Sequence, residues 1–275
     1  MKKIIIGASF GVLASLAFVS AAPAATWDGG GTNTNWTTAN NWNPNGAPSA
    51  GAALSFPSGA LKLSNTNDFP DLTGFQSLTF LAANYNLGGN DIQLSNGLLS
   101  SQPSGTNILA LGIALTQDQS FTVQNSGSFL TINGDIDLKT STLTVGGAGN
   151  LISGGQVLGT GDILKDGPGY FRLTGNNSFS GGITVNAGTL EVNNTAGSGT
   201  GSGAVIVESG AKVQGDGEID GEVLVKSGGK ISPGDSQPAL LATGNLILDP
   251  NAVLIAQVNG NVPDTEYSGL KVTGT

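Results

Sequence analysis

Four carboxylates occupy alternate positions in the stretch GDGEIDGEV, which runs from residue 215 to residue 223. They are Asp216, Glu218, Asp220 and Glu222. On a β-strand, alternate side chains share one face and lie about 6.6 Å apart. Such a row could form the carboxylate pair of a glycosidase, a weak calcium site, or a solvated outer face. Because no aromatic residue lies between Phe179 and Tyr267 to stack on a sugar, we expect the solvated face, with metal binding as the alternative.

The composition excludes several classes of chemistry. The chain of 275 residues contains neither His nor Cys. Imidazole is therefore absent as a base or zinc ligand, and no disulfide or thiolate metal site can form. The formal net charge of −9 makes nucleic acid a poor partner. With 44 glycines and few charges, the composition favours a β-rich fold with many tight turns, and we expect no cofactor.

The first 24 residues have the pattern of a secretory signal. Lys2 and Lys3 precede the apolar stretch Ile4–Val19, and Ala22-Pro23-Ala24 fits a small-residue cleavage motif. We expect cleavage after Ala24, with an uncleaved anchor as the alternative. The sequence therefore predicts a secreted or cell-surface protein.

Residues 25–60 form a distinct segment that contains all three tryptophans of the chain, Trp27, Trp36 and Trp42. A stacked β-fold needs protected ends, and large rings can cover apolar surface there. We expect this segment to cap the first coil. The alternative is that Trp36 and Trp42 are exposed and contact a glycan.

From residue 61 to residue 275, short alternating apolar runs follow one another, which predicts an all-β domain. Val205, Val223 and Leu246 begin similar runs, spaced 18 and 23 residues apart, and Phe121 and Leu143 begin an earlier pair. A degenerate repeat of about 20 residues is typical of a parallel β-solenoid, or β-helix. The chain ends inside a strand pattern, so we expect the β-helix domain to be C-terminally incomplete.

The stretch 163–193, ILKDGPGYFRLTGNNSFSGGITVNAGTLEVN, resembles the autotransporter-associated β-strand repeat of secreted bacterial proteins. The residues that carry the resemblance are Leu164, Lys165, Gly167, Gly169, Leu173, Gly175, Asn177, Phe179, Gly181, Gly182, Thr184, Val185, Gly188, Leu190 and Val192. The turn Ser232-Pro233-Gly234 resembles the segment that often closes such regions. Tyr267–Gly274 resembles a further family element, with Ser268 where Asp is usual.

The resemblance implies a right-handed parallel β-helix at the cell surface or outside the cell, without catalytic residues. Some family members are exported through a C-terminal outer-membrane barrel. We therefore expect export through such a barrel or another sorting module that is not present in this sequence.

The sequence thus predicts a non-catalytic passenger that serves as a stalk, coat or adhesive scaffold, with extracellular glycans or cell-surface components as partners. Two alternatives remain open. One is a polysaccharide-acting β-helix enzyme, in which Arg172 or a lysine would face three carboxylates in an open groove. The other is a carbohydrate-binding module at the tryptophan segment.

Overall fold

The computed structural model describes residues 24–264 and 266–274. Residues 1–23 of the predicted signal lie outside them. One short 3-10 helix (Ala39–Asn41) interrupts a chain of β-strands. Numbered in chain order, the strands are β1 (Ala25–Trp27), β2 (Trp42–Asn43), β3 (Ala53–Phe56), β4 (Ser64–Asn67), β5 (Thr73–Phe75), β6 (Ser77–Phe80), β7 (Asn86–Gly89), β8 (Ile92–Leu94), β9 (Leu98–Ser100), β10 (Ser104–Leu109), β11 (Ile113–Leu115), β12 (Gln119–Val123), β13 (Gly127–Ile132), β14 (Ile136–Asp137), β15 (Leu143–Gly146), β16 (Asn150–Ser153), β17 (Val157–Leu158), β18 (Ile163–Lys165), β19 (Tyr170–Leu173), β20 (Ile183–Val185), β21 (Thr189–Val192), β22 (Val205–Val207), β23 (Lys212–Gly215), β24 (Glu218–Ile219), β25 (Val223–Val225), β26 (Lys230–Pro233), β27 (Leu240–Thr243), β28 (Leu246–Leu248), β29 (Val253–Leu254) and β30 (Gly269–Val272).

The strands form the sides of a parallel β-helix, as predicted. Sheet A has twelve strands, in the order β2-β1-β3-β6-β9-β12-β15-β18-β20-β22-β25-β28. Sheet B has ten, in the order β29-β26-β23-β21-β19-β16-β13-β10-β7-β4. The third side is a five-stranded sheet (β17-β14-β11-β8-β5) in the first coils and a three-stranded sheet (β24-β27-β30) in the last. Successive coils pair in parallel, whereas β1 and β2 are antiparallel.

The register between coils confirms most of the repeat alignment. Val205 pairs with Val223, which pairs with Leu246. The earlier alignment of Phe121 with Leu143 is wrong, because Gln119 is the residue opposite Leu143. Gln119 is a buried polar residue at a position where the apolar pattern is absent. Its amide accepts a hydrogen bond from the Gly97 N–H and donates one to the Leu94 carbonyl, each 2.8 Å long.

Inward side chains form one continuous core along the coils. In β20, β22 and β25 the first and third residues are buried and the middle residue is partly exposed. Stacking therefore places one coil's Val and Ile side chains directly on those of the next, which buries apolar surface that a single coil could not. The middle residues form outward rows.

A column of glycines brings successive coils together at one corner. A Cβ on Gly181 would lie 2.0 Å from the carbonyl oxygen of Gly161. A Cβ on Gly203 would lie 2.0 Å from the Gly181 oxygen, and a Cβ on Gly221 would lie 2.0 Å from the Gly203 oxygen. These contacts are far shorter than van der Waals distance, so the corner admits no side chain.

The tryptophan segment covers the first coil, as predicted. The rings of Trp27, Trp36 and Trp42 are fully buried. Trp42 contacts the other two edge-on, with centroids 5.1 Å from Trp27 and 6.0 Å from Trp36. Each indole N–H donates a 2.7 Å hydrogen bond, to Lys62 O, Asn65 Oδ1 and Trp36 O respectively.

The cap and the coils are continuous in the structure. Strand β1 pairs in parallel with β3, which pairs with β6, so the ladder of sheet A already includes residues 25–56. At the opposite end, the last coil leaves apolar side chains such as Leu248 and Leu254 exposed. Among the described residues, no helix reaches the length and hydropathy needed to cross a bilayer.

Replacing a cap tryptophan should strongly destabilise the fold. We expect Trp36→Ala to lower the free energy of unfolding by about 3–5 kcal/mol, because it removes a buried ring and leaves a cavity. Urea denaturation measures the change. Leu61→Ala is the matched control, because Leu61 is 78% exposed and its truncation should change stability by less than about 0.5 kcal/mol. Equal stabilities of the wild type and Trp36→Ala would contradict the role of Trp36 in the cap.

A methyl group in the glycine column should force the coils apart. We expect Gly181→Ala to lower the free energy of unfolding by about 1–3 kcal/mol or more, because the new Cβ would overlap the Gly161 carbonyl. Gly74→Ala tests the specificity of this effect, since a Cβ there meets no atom within 4 Å and should be nearly neutral. If the two variants were equally stable, close approach would not explain the column.

Candidate functional site

The predicted repeat motif occupies two neighbouring coils and builds structure. Its strands are β18 to β21, and its apolar members Leu173, Val185, Leu190 and Val192 are completely buried. Gly169 approaches the coil below, where a Cβ would lie 1.9 Å from the Gly149 oxygen. Gly188 has a φ of +70°, a conformation that glycine adopts without strain. The motif therefore records the requirements of stacking.

The motif lysine is an inward-facing residue. Lys165 lies between Val145 and Val185 in the ladder of sheet A and is 1% exposed. Its ammonium donates to the carbonyls of Asp166 (3.1 Å), Gly167 (2.9 Å) and Ala187 (3.2 Å), which ties together the turns of two coils. Burial lowers the pKa of Lys165 to about 8, although the charge of Asp166 opposes the change.

The motif asparagine connects three successive coils. The Asn177 Oδ1 accepts a 2.7 Å hydrogen bond from the Val157 N–H, and its Nδ2 donates a 2.6 Å bond to the Gly199 carbonyl. The neighbouring motif aromatic, Phe179, is fully buried. Gly175 also meets the coil below, where a Cβ would lie 2.3 Å from the Gly155 oxygen. This side has no strand in these coils, so the amide replaces part of the missing ladder.

The acidic row lies on the outer surface, as predicted. Asp216, Glu218, Asp220 and Glu222 are all exposed, while Gly217, Ile219 and Gly221 between them are buried. Within the described part of the chain, no three carboxylates come together closely enough to hold a metal ion. The alternative of metal binding by this row therefore gains no support from the geometry.

The closing turn continues a strand before it leaves the coil. Ser232 and Pro233 belong to β26, and both are buried. Gly234 follows with a φ of +84°, and its N–H donates a 2.6 Å hydrogen bond to the Gly215 carbonyl. The chain then turns out and returns as β27 on the third side.

The structure corrects the glycan-binding alternative for Trp36 and Trp42. Both rings are 0% exposed and their N–H groups are bonded within the cap, so neither can stack on a sugar. The physical reason is the first coil, whose open apolar edge is the larger hydrophobic surface available to these rings.

Arg172 lies on the outer face of sheet B, where it is paired with one carboxylate. Its Nε is 2.8 Å from Glu191 Oε2, and its guanidinium lies 5.1 Å from the centre of the Tyr170 ring. The hydrogen bond to Glu191 raises the pKa of Arg172 above its ordinary value. Gln214 donates a 3.2 Å hydrogen bond to the other Glu191 oxygen. This arrangement lacks the three carboxylates in an open groove that the lyase alternative requires.

A second outward row of sheet B was missed by sequence reasoning, and we name it the axial row. It contains one residue from each of β13, β16, β19, β21, β23 and β26, namely Phe129, Asn150, Tyr170, Thr189, Lys212 and Lys230. All six are partly exposed. The row joins residues that are about one repeat apart, so it is visible only when the register is known. The alignment of Val213 with Ile231 was the available signal, because it places Lys212 beside Lys230.

The buried lysine gives the fold a defined pH dependence. The folded pKa of Lys165, about 8, lies below the ordinary value of 10.5, so the unfolded chain binds more protons between these values. The cost of burying the charge is fully present below pH 8 and is relieved as the pH rises. Relative to Lys165→Met, the wild type should gain about 2 kcal/mol of stability between pH 8 and pH 10.

Urea denaturation of both proteins at each pH measures this difference. Using the variant as the reference cancels the titration of all other groups. A constant difference in stability between the two proteins over this range would show that Lys165 titrates at its ordinary pKa.

Comparison with known proteins places these observations in a family. Residues 163–192 match the model of the passenger-associated-transport repeat. The chain is similar to the adhesin BmaC autotransporter of Brucella suis biovar 1 (strain 1330), with 33% identity over 162 residues. The alignment covers 54% of this chain and 5% of the relative, so this chain spans only a small part of that protein's length. No solved structure matches the chain. Residues 163–192 are therefore a passenger-associated-transport repeat, and the resemblance to the repeats of autotransporter passengers is confirmed.

Proposed function

We propose that this chain is a non-catalytic β-helical passenger segment, exposed at the cell surface or secreted, that acts as a rigid adhesive scaffold. The observation that carries the proposal is the repeat at residues 163–192, which lies within an uninterrupted parallel β-helix. Its similarity to a segment of an adhesin autotransporter supports the same conclusion.

The physical properties of the coil suit a scaffold. Sheets A and B run through the coils without a break, and the inward positions form one core. Such a fold resists local opening, because removing one coil exposes the apolar faces of both its neighbours. The outward positions are free to vary, and each of them recurs once per coil. A passenger can therefore present rows of side chains to a partner over a long, stiff surface.

The enzymatic alternative is less well supported by the geometry. The only arginine in the sequence is committed to Glu191, whose side chain is 2% exposed. Among the described lysines, Lys165 is buried, whereas Lys139 and Lys226 pair with single carboxylates. A lyase needs a basic group beside open acidic ligands, and these pairings do not provide one.

Surface labelling tests the proposal. An antibody against the chain should label intact cells of the organism that produces it or its culture supernatant, and added protease should remove the label from the cells. Deleting the gene should reduce attachment of these cells to surfaces or to one another, and the restored gene should recover it. Labelling that requires permeabilised cells, or attachment that is unchanged by the deletion, would contradict the proposal.

A further inference from the structure

We propose that the axial row of sheet B binds a linear anionic glycan, one that carries carboxylate or sulfate groups. The inference rests on the proposed function and supplies its ligand class and contact residues. It assigns the aromatic half of the row to the sugar rings and the lysine half to the acidic groups.

The aromatic half contains rings that the core does not use. Phe129 and Tyr170, together with Tyr267, are the aromatic residues of the described chain that do not belong to the core or pack against it. Phe129 and Tyr170 lie two coils apart with ring centroids separated by 6.4 Å. The phenol oxygen of Tyr170 makes no hydrogen bond within the described residues, nor does the Nδ2 of the intervening Asn150. Exposed rings beside unoccupied polar groups are the components of sugar recognition.

The cationic half contains charges that the protein does not neutralise. Lys212 and Lys230 face each other on adjacent strands of sheet B. Of the basic side chains in the described residues, only these two and Lys271 make neither an ion pair nor a hydrogen bond. Like charges on neighbouring strands repel each other. An anion placed between them would remove that repulsion and form charge-assisted hydrogen bonds.

The two halves lie in one line along the β-helix axis. Neighbouring strands are about 4.8 Å apart, so Tyr170 and Lys212, two coils apart, are separated by about 10 Å. A linear polymer lying along the axis would meet the rings first and the lysines next. Glu191, in the adjacent outward row, is held by Arg172 and Gln214, and the exposed acidic row at residues 216–222 belongs to a different stretch of each coil. The local charge of the axial row is therefore positive although the chain is acidic.

Binding of defined polysaccharides by the purified full chain tests the proposal. Dextran sulfate and polygalacturonate distinguish sulfate from carboxylate as the acidic group, and neutral dextran controls for the sugar backbone. We expect at least one anionic polymer to bind and neutral dextran not to bind. Lys212→Gln/Lys230→Gln should weaken that binding about tenfold or more, since it removes two charged contacts. Tyr170→Ala should weaken it severalfold, with the thermal transition of each variant recorded to verify folding.

The matched control is Lys139→Gln/Lys271→Gln, which removes the same charge from positions outside the row and should leave binding unchanged. An equal loss in this control would show non-specific charge attraction and overturn the proposal. Absence of binding to both anionic polymers would also overturn it, as would binding of anionic phospholipid vesicles in preference to both. If intact cells are labelled and attachment depends on the gene while no anionic polymer binds, the scaffold function stands and this inference fails.

Discussion

The close approach of consecutive coils is the constraint on which the rest of this structure depends. Parallel strands lie about 4.8 Å apart, and every backbone group on an inward-turning corner must fit within that distance. Gly161, Gly181, Gly203 and Gly221 satisfy the requirement by having no side chain where one coil's carbonyl meets the next coil's Cα. Without this corner, the Val and Ile side chains of β20, β22 and β25 could not stack into one core.

Close stacking also creates polar groups that need partners where the ladder is interrupted. Lys165 and Asn177 supply these partners from inside the coil, by bonding the carbonyls and amides of neighbouring turns. A motif that combines lysine, asparagine and glycine suggests chemistry in a linear sequence. In the folded chain the same residues hold turns together. The interior is therefore committed to stacking, and the variation that a binding function requires is left to the outward rows.

The sequence predicts the β-helix because its signal is local: alternating strands, turn glycines and a period of about 20 residues. The register of Val205, Val223 and Leu246 follows from that period. Gln119 escaped prediction because a buried polar residue breaks the apolar pattern while its amide is satisfied by another coil. Burial of Trp36 was one of two interpretations, since composition does not tell which apolar edge a ring will cover. The axial row was not found because it depends on register between distant residues, and each of its members is an ordinary strand residue when taken alone.

In-register stacking of the coils is the central claim, and distances between labelled coils test it most directly. The chain has no Cys, so nitroxide labels can be placed on Ser120→Cys paired in turn with Ile206→Cys, Leu224→Cys and Ile247→Cys. These outward positions follow one row of sheet A, four, five and six coils from Ser120. Pulsed dipolar spectroscopy should give distances that rise by about 4.8 Å from each pair to the next, from about 19 Å to about 29 Å. Distances that stay constant or fall along this series would contradict the stacked β-helix.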